Sequence, residues 1–345
     1  MTDANAHDPR LRELERWIRE DLGFGDARIA PASADASFRR YFRVQRAGLS
    51  YIAMDAPPDK EALGPYLQVA ALLAGIGLNV PRVLARDAER GFVLVTDLGS
   101  RQYLPELAEP GRVERLYEDA LEALLRMQTA GRALAAESLP RYDRALLVRE
   151  MELLPQWFLE RHLQIEADAP TRAMLERLFD ALAAAAAEQP FTFVHRDYHS
   201  RNLMVTEQHN PGILDFQDAV YGPLTYDLVS LLKDCYIVWP RRRVSDWALG
   251  YRDRARERGF ALPAGDAGFL RWFDLMGVQR HVKVLGIFCR LFYRDGKAQY
   301  LADLPRVLDY VREVAAAYPE TAEFAEFLSA RVAPLLAVPR ARAPA

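Results

Sequence analysis

The sequence predicts an α+β fold in two parts, a small N-terminal lobe built on an antiparallel sheet and a large helical C-terminal lobe. Three observations predict it. The chain has 345 residues, half of them apolar, which is too long for one simple core and suits two lobes. Short β-prone runs with tight turns dominate up to about residue 97. Beyond Thr96-Asp97-Leu98-Gly99, apolar residues recur at helical spacing instead.

The elements follow in order. Leu11, Leu14, Ile18 and Leu22 share one face of a helix expected over 10–22, with Trp17 beside them. The runs 38–44 and 49–54 flank Ala47-Gly48 and read as a hairpin. After Ala56-Pro57-Pro58 a helix is expected over 60–74, ended by Gly75 and Gly77. Residues 80–84 and 92–96 read as two more strands. These elements place the N-terminal lobe at 1–97 and the C-terminal lobe at 98–337, followed by a flexible Pro/Arg/Ala tail at 338–345. In the second lobe Val113, Leu116, Tyr117, Ala120, Leu121 and Leu124 mark one buried helix face. Leu304, Val307, Leu308, Val311 and Val314 mark another.

Composition excludes several classes of function. Lys plus Arg is 45 against 48 for Asp plus Glu, a formal charge of −3. Nucleic acid is therefore not expected as a partner, because a phosphate backbone demands a cationic excess. Cys235 and Cys289 are too far apart for a CxxC unit, and no disulfide framework exists. Residues 1–20 are charged and carry no apolar signal core, and the small-residue run 183–187 is too short to span a bilayer. A cytoplasmic chain without a membrane partner, acting as a monomer, is expected.

One polar stretch interrupts the helical pattern. Phe191 to Val194 is a short apolar run, 195–202 is polar, and 203–205 and 212–214 are apolar pieces separated by Asn210-Pro211-Gly212. Antiparallel pairing of those two pieces brings their outer ends together. Asn202 precedes the first and Asp215 follows the second, so two hard oxygen ligands emerge side by side. Such ligands suit Mg²⁺, which binds through one or two protein oxygens plus substrate phosphates. Asp197, in the loop feeding that end, is a candidate general base for an attacking hydroxyl. The spacing His195-x-Asp197-x-x-x-x-Asn202 is that of a kinase catalytic loop. His195 and His199 also form His-x-x-x-His, but a zinc site of that type needs a helix and a glutamate, and Arg196 follows His195 here.

His195-Arg-Asp-Tyr-His-Ser-Arg-Asn202 followed by Ile213-Leu-Asp-Phe-Gln-Asp-Ala219 resembles the aminoglycoside phosphotransferase and choline kinase superfamily. The resemblance implies a protein-kinase-like fold and phosphorylation of a small molecule by ATP with Mg²⁺. It implies Asp197 as catalytic base and Asn202 and Asp215 as metal ligands. The downstream Gly222-Pro-Leu-Thr-Tyr-Asp227-Leu228 matches a further family element, in which the aspartate braces the catalytic loop, as His195 also would. The segments 33–44 and 51–61 resemble a bacterial branch that phosphorylates cell-wall amino sugars. That narrower likeness implies transfer to the anomeric C1 hydroxyl of N-acetylmuramate and N-acetylglucosamine, in peptidoglycan recycling. ATP contacts are then expected at Ser33 and Ser37 in the phosphate-facing turn, at Arg43, and at Thr96 and Asp97 in the hinge. Acceptor contacts are expected at His199, Gln217, Arg280 and Arg290.

The chain departs from the pattern in two places. It has no glycine-rich phosphate loop; small residues at 32–37 stand there. The strand lysine that meets the nucleotide phosphates is also missing, and Met54 occupies the corresponding strand end. Arg39, Arg40, Arg43 and Lys60 are the nearest cations, and the Arg39/Arg43 face is expected to meet the nucleotide, with Arg43 as the cation. Two other functions fit the residues. One is a kinase of a different small acceptor, such as an aminoglycoside, choline or a related amino alcohol. The basic excess over 269–295 argues against a cationic acceptor of that kind. The other is a catalytically silent nucleotide-binding regulator.

Overall fold

The computed structural model describes residues 8–34 and 38–336. Ser37 and the tail at 338–345 lie outside the described residues, as does the side chain of Ser33. The chain divides into two compact units, 1–106 with 202–218, and 107–201 with 219–345.

In the first unit, α1 (Pro9–Arg16) begins on Asp8, whose carboxylate accepts from Leu11 N–H at 3.1 Å, with Pro9 at its first position. It runs into a π-helical turn, Trp17–Asp21, where the sequence predicts plain helix. The sheet is antiparallel in the order β1-β2-β3-β5-β4, with β1 Arg28–Ala34, β2 Arg40–Arg46, β3 Leu49–Asp55, β4 Val83–Asp87 and β5 Phe92–Thr96. The Ala47-Gly48 hairpin and β5 stand as predicted. β4 starts later than the predicted 80–84, because Pro81 has no N–H to give a ladder. β1 escapes the sequence reading because it contains Pro31 and small residues, and a bulge interrupts it between Pro31 and Ser33. Leu11, Leu14, Trp17 and Ile18 pack on Phe42, Val44, Ala53, Phe92 and Leu94, so one sheet face is core.

α2 (Leu63–Gly75) begins three residues after the predicted start. The residues before it turn instead, with Lys60 and Glu61 N–H each donating to Pro57 O at 2.9 Å. After α3 (Tyr103–Glu106), the unit is completed by the hairpin Leu203–Met204 with Gly212–Ile213. Val205 N–H donates to Arg101 O at 2.7 Å and Ile213 N–H to Asn79 O at 2.8 Å. Those bonds explain why 202–218 group with the N-terminal residues, whereas a simple cut after 97 leaves them in the helical lobe.

The second unit is helical: α4 (Pro110–Ala130), α5 (Arg132–Ser138), α6 (Arg144–Met151), α7 (Ala169–Ala187), α8 (Thr225–Leu232), α9 (Arg241–Glu257), α10 (Asp266–Asp295), α11 (Leu304–Ala315), α12 (Ala322–Phe327) and α13 (Ala333–Leu336). The stripes read on α4 and α11 are buried. α10 runs through the middle of this unit and packs on α7, α8, α11 and the π-helical segment Leu154–Leu163. Gly286 permits that approach, since a Cβ there would lie 2.3 Å from the Leu153 carbonyl carbon. Arg241, Arg242 and Arg243 open α9. Phe191–Val194 pairs with Val220–Pro223, a strand the sequence reading passes over. Among the described residues no helix is long and apolar enough to cross a membrane.

Candidate active site

The polar loop after Phe191–Val194 is held by buried acids of the second unit. Asp227, in the first turn of α8, accepts backbone N–H bonds from His195 at 2.6 Å and Arg196 at 3.0 Å. Asp234 accepts from both the N–H (2.9 Å) and the hydroxyl (2.5 Å) of Ser200. His195 is fully buried, and its Nδ1 accepts the Asp197 N–H at 3.2 Å. Arg196 adopts φ +75°, a left-handed geometry that costs a non-glycine residue about 1–3 kcal/mol. Its guanidinium is paired with Glu150.

Asp197 is thereby held as a half-buried residue of the loop. Burial opposes its ionisation, yet the positive charges of Lys283, Arg280 and Arg196, joined by His199 once that ring is protonated in acid, outweigh it and hold its pKa down to about 2. Lys283 lies 2.9 Å from Glu150 and donates to the Tyr226 hydroxyl at 3.0 Å. Arg280 donates to Ser230 Oγ at 2.6 Å. Burial depresses the His199 pKa, so this ring is neutral at pH 7, and its edge meets Tyr236. Burial pushes Asp227 the other way, up to about 7, against the two N–H bonds it accepts. Arg290 is half-buried on α10, where burial and the neighbouring Arg294 lower its pKa. The Tyr236 ring is covered by the Arg201 guanidinium, 4.1 Å from its centroid. Trp239 donates to the Tyr117 hydroxyl at 2.6 Å, which makes it a packing residue.

The first unit carries the other expected residues. Leu214 N–H donates to Asn202 O at 2.9 Å, so the hairpin ends lie side by side, with the Asn202 amide 3.4 Å from Asp215 Oδ2. Asp215 adopts φ +61°. Gln217 donates to Asp215 Oδ1 at 2.7 Å. Phe216 is buried against the Tyr66 ring of α2, centroids 5.1 Å apart. Among the described residues no three His, Cys, Asp or Glu side chains converge on a metal-sized point. Asn202 and Asp215 still fit a hard cation that completes its shell with phosphate oxygens and water.

The hinge residues are tied down. Thr96 Oγ1 accepts from Arg82 N–H at 2.9 Å. Asp97 accepts from Ser50 at 2.6 Å, from Gly99 N–H at 2.9 Å, and from Arg43 Nε and Nη2 at 2.7 and 3.2 Å. Burial raises the Asp97 pKa, but Arg43, Ser50 and the Gly99 amide more than offset it and leave a carboxylate. Arg43 also donates to Gly99 O at 2.9 Å, so its guanidinium braces the segment after β5.

The model of the phosphotransferase enzyme family matches residues 28–267. The chain belongs to this family. The phosphotransferase is 47% identical over 334 residues to the N-acetylmuramate/N-acetylglucosamine kinase of Pseudomonas aeruginosa, covering 94% of this chain and 97% of the relative. It is 43% identical over 317 residues to the protein of the same name from Neisseria meningitidis, covering 91% and 93%. Its fold matches a choline kinase from Streptococcus pneumoniae with TM-score 0.61, at 11% identity over 89% of this chain and all of that one. An ADP-bound aminoglycoside phosphotransferase matches with TM-score 0.57 at 14% identity, over 91% and 99%.

Glu150, Glu61 and Asp234 of this phosphotransferase escape motif reading. Glu150 lies far upstream of the loop it supports, and Glu61 precedes a helix whose start is displaced. A buried acid within a short α6, and an acid just before α2, are the available signals, and neither is distinctive in sequence.

Proposed function

We propose that this phosphotransferase moves the γ-phosphoryl group of ATP, with Mg²⁺, onto the anomeric C1 hydroxyl of N-acetylmuramate and N-acetylglucosamine. The near full-length identity to kinases named for those two sugars carries the reading. The local charge supports it. Arg280 and Lys283 beside Asp197 suit a neutral or acidic acceptor such as N-acetylmuramate and disfavour a cationic amino alcohol.

In this reading Asp197 accepts the proton of the attacking C1 hydroxyl and orients its oxygen for in-line transfer. An anomeric hydroxyl is more acidic than an ordinary alcohol, so a carboxylate with a low pKa suffices. Asp227 and Asp234 fix the loop backbone so that Asp197 does not have to be positioned during the reaction. Asn202 and Asp215 would hold Mg²⁺, which when bound neutralises charge on the phosphate oxygens. Gln217 keeps the Asp215 carboxylate oriented.

The test is product analysis. Purified protein with ATP and each sugar should yield the 1-phosphate by phosphorus and carbon NMR. A 6-phosphate, or turnover confined to choline or aminoglycosides, would overturn the substrate assignment.

A further inference from the structure

Met54 leaves the phosphates of a bound nucleotide without their strand cation, and the first unit contains a replacement from another strand. Met54 is fully buried and pairs directly with Tyr41 of β2, so the two side chains share a sheet face. Continuing the alternation one step out of β2 puts Arg39 on that face too. The other nearby cations are committed elsewhere. Arg40 pairs with Asp8 and Asp55, Arg43 pairs with Asp97, and Lys60 stands 5.0 Å over the Phe38 ring.

Arg39 differs in what it faces. Its Nη2 lies 3.0 Å from Glu61 Oε2, and its Nη1 lies 4.0 Å from Asp215 Oδ1. Its side chain is only 8% exposed, a placement tolerable for a guanidinium only with charge partners. Glu61 is held in turn, since it accepts Phe38 N–H at 3.3 Å. Resting on the kinase reading above, we infer that Arg39, clamped by Glu61, is the cation that meets the nucleotide phosphates in place of the strand lysine. The exchange keeps the cation–glutamate pair typical of kinases but draws the cation from the residue before β2. A guanidinium suits the task because its planar fork can bind Glu61 with one nitrogen and present another to an anion. Without Arg39, Glu61 would lose the cation that compensates its negative charge.

The test separates phosphate recognition from folding. Calorimetric titrations of the full chain with Mg²⁺ should compare ATP with adenosine, which lacks phosphate. Arg39→Met is expected to weaken ATP binding about 10–100-fold while adenosine stays within about threefold, and Arg39→Lys to recover part of the loss. If Arg39→Met does not fold, Arg39→Lys and Glu61→Gln should show the same selective loss at smaller size. Equal losses for ATP and adenosine, or none in either variant, would overturn the role of Arg39. A wild type that binds no ATP would overturn the kinase reading itself.

Discussion

The Lys283 ammonium lies 2.9 Å from Glu150, and the same cation heads the charges that keep Asp197 ionised. The pair therefore links a buried ion network to the chemistry of the loop. Glu150 also binds Arg196 and Tyr142, so one acid organises three neighbours.

Removing the Lys283 charge should raise the Asp197 pKa from about 2. A depressed carboxylate stabilises the fold above its unfolded value of 3.8, and that contribution is lost only as pH falls through the folded value. Wild-type kcat/KM should accordingly show no acid limb from Asp197 between pH 5 and about 8. In Lys283→Met an acid limb should move upward, measured as kcat/KM from about pH 4 to 8. Superimposable profiles would mean that another charge holds Asp197.

Glu150→Ala leaves Arg196 and Lys283 buried together without their shared acid. The expected cost is about 3–5 kcal/mol, read as a lower Tm and denaturant midpoint. A loss below about 1 kcal/mol would show that the two cations find solvent instead.

Asp227 should make stability fall with rising pH. Between its unfolded value of 3.8 and about 7 the folded chain holds a proton that the unfolded chain has released. The slope is negative across that window and vanishes on either side. Asp227→Asn should flatten it, so the variant should gain on wild type in urea unfolding from pH 4.5 to about 7. Parallel curves would contradict the raised pKa.

Asp197→Asn is nearly isosteric and should fold and bind ATP normally. Its kcat should fall about 10²–10⁴-fold, the usual worth of a general base. Activity within a few-fold of wild type would remove Asp197 from that role.

Asn202→Ala and Asp215→Ala should both raise the Mg²⁺ concentration needed for half-maximal activity. Asp215 should be the more severe because it carries charge. A Mg²⁺ titration that is unchanged in both variants would contradict the metal assignment.

Local pattern determined much of this protein. The α+β class, the hairpin around Ala47-Gly48, β5, and the short strand before His195 all follow from period and turn chemistry, which act over a few residues. The family's loop spacing likewise stands in the sequence at His195, Asp197 and Asn202. Partnerships between distant residues were decided only by tertiary structure. Arg43 and Arg39 share a strand face, so alternation cannot choose between them. The fold alone gives them different partners, Asp97 for Arg43 and Glu61 with Asp215 for Arg39. Glu150 of α6 meets Lys283 of α10 and Arg196 of the catalytic loop only because segments remote in sequence pack together. A carboxylate carries no sequence mark of which cation it will meet, because charge pairing is long-range in the chain and short-range in space.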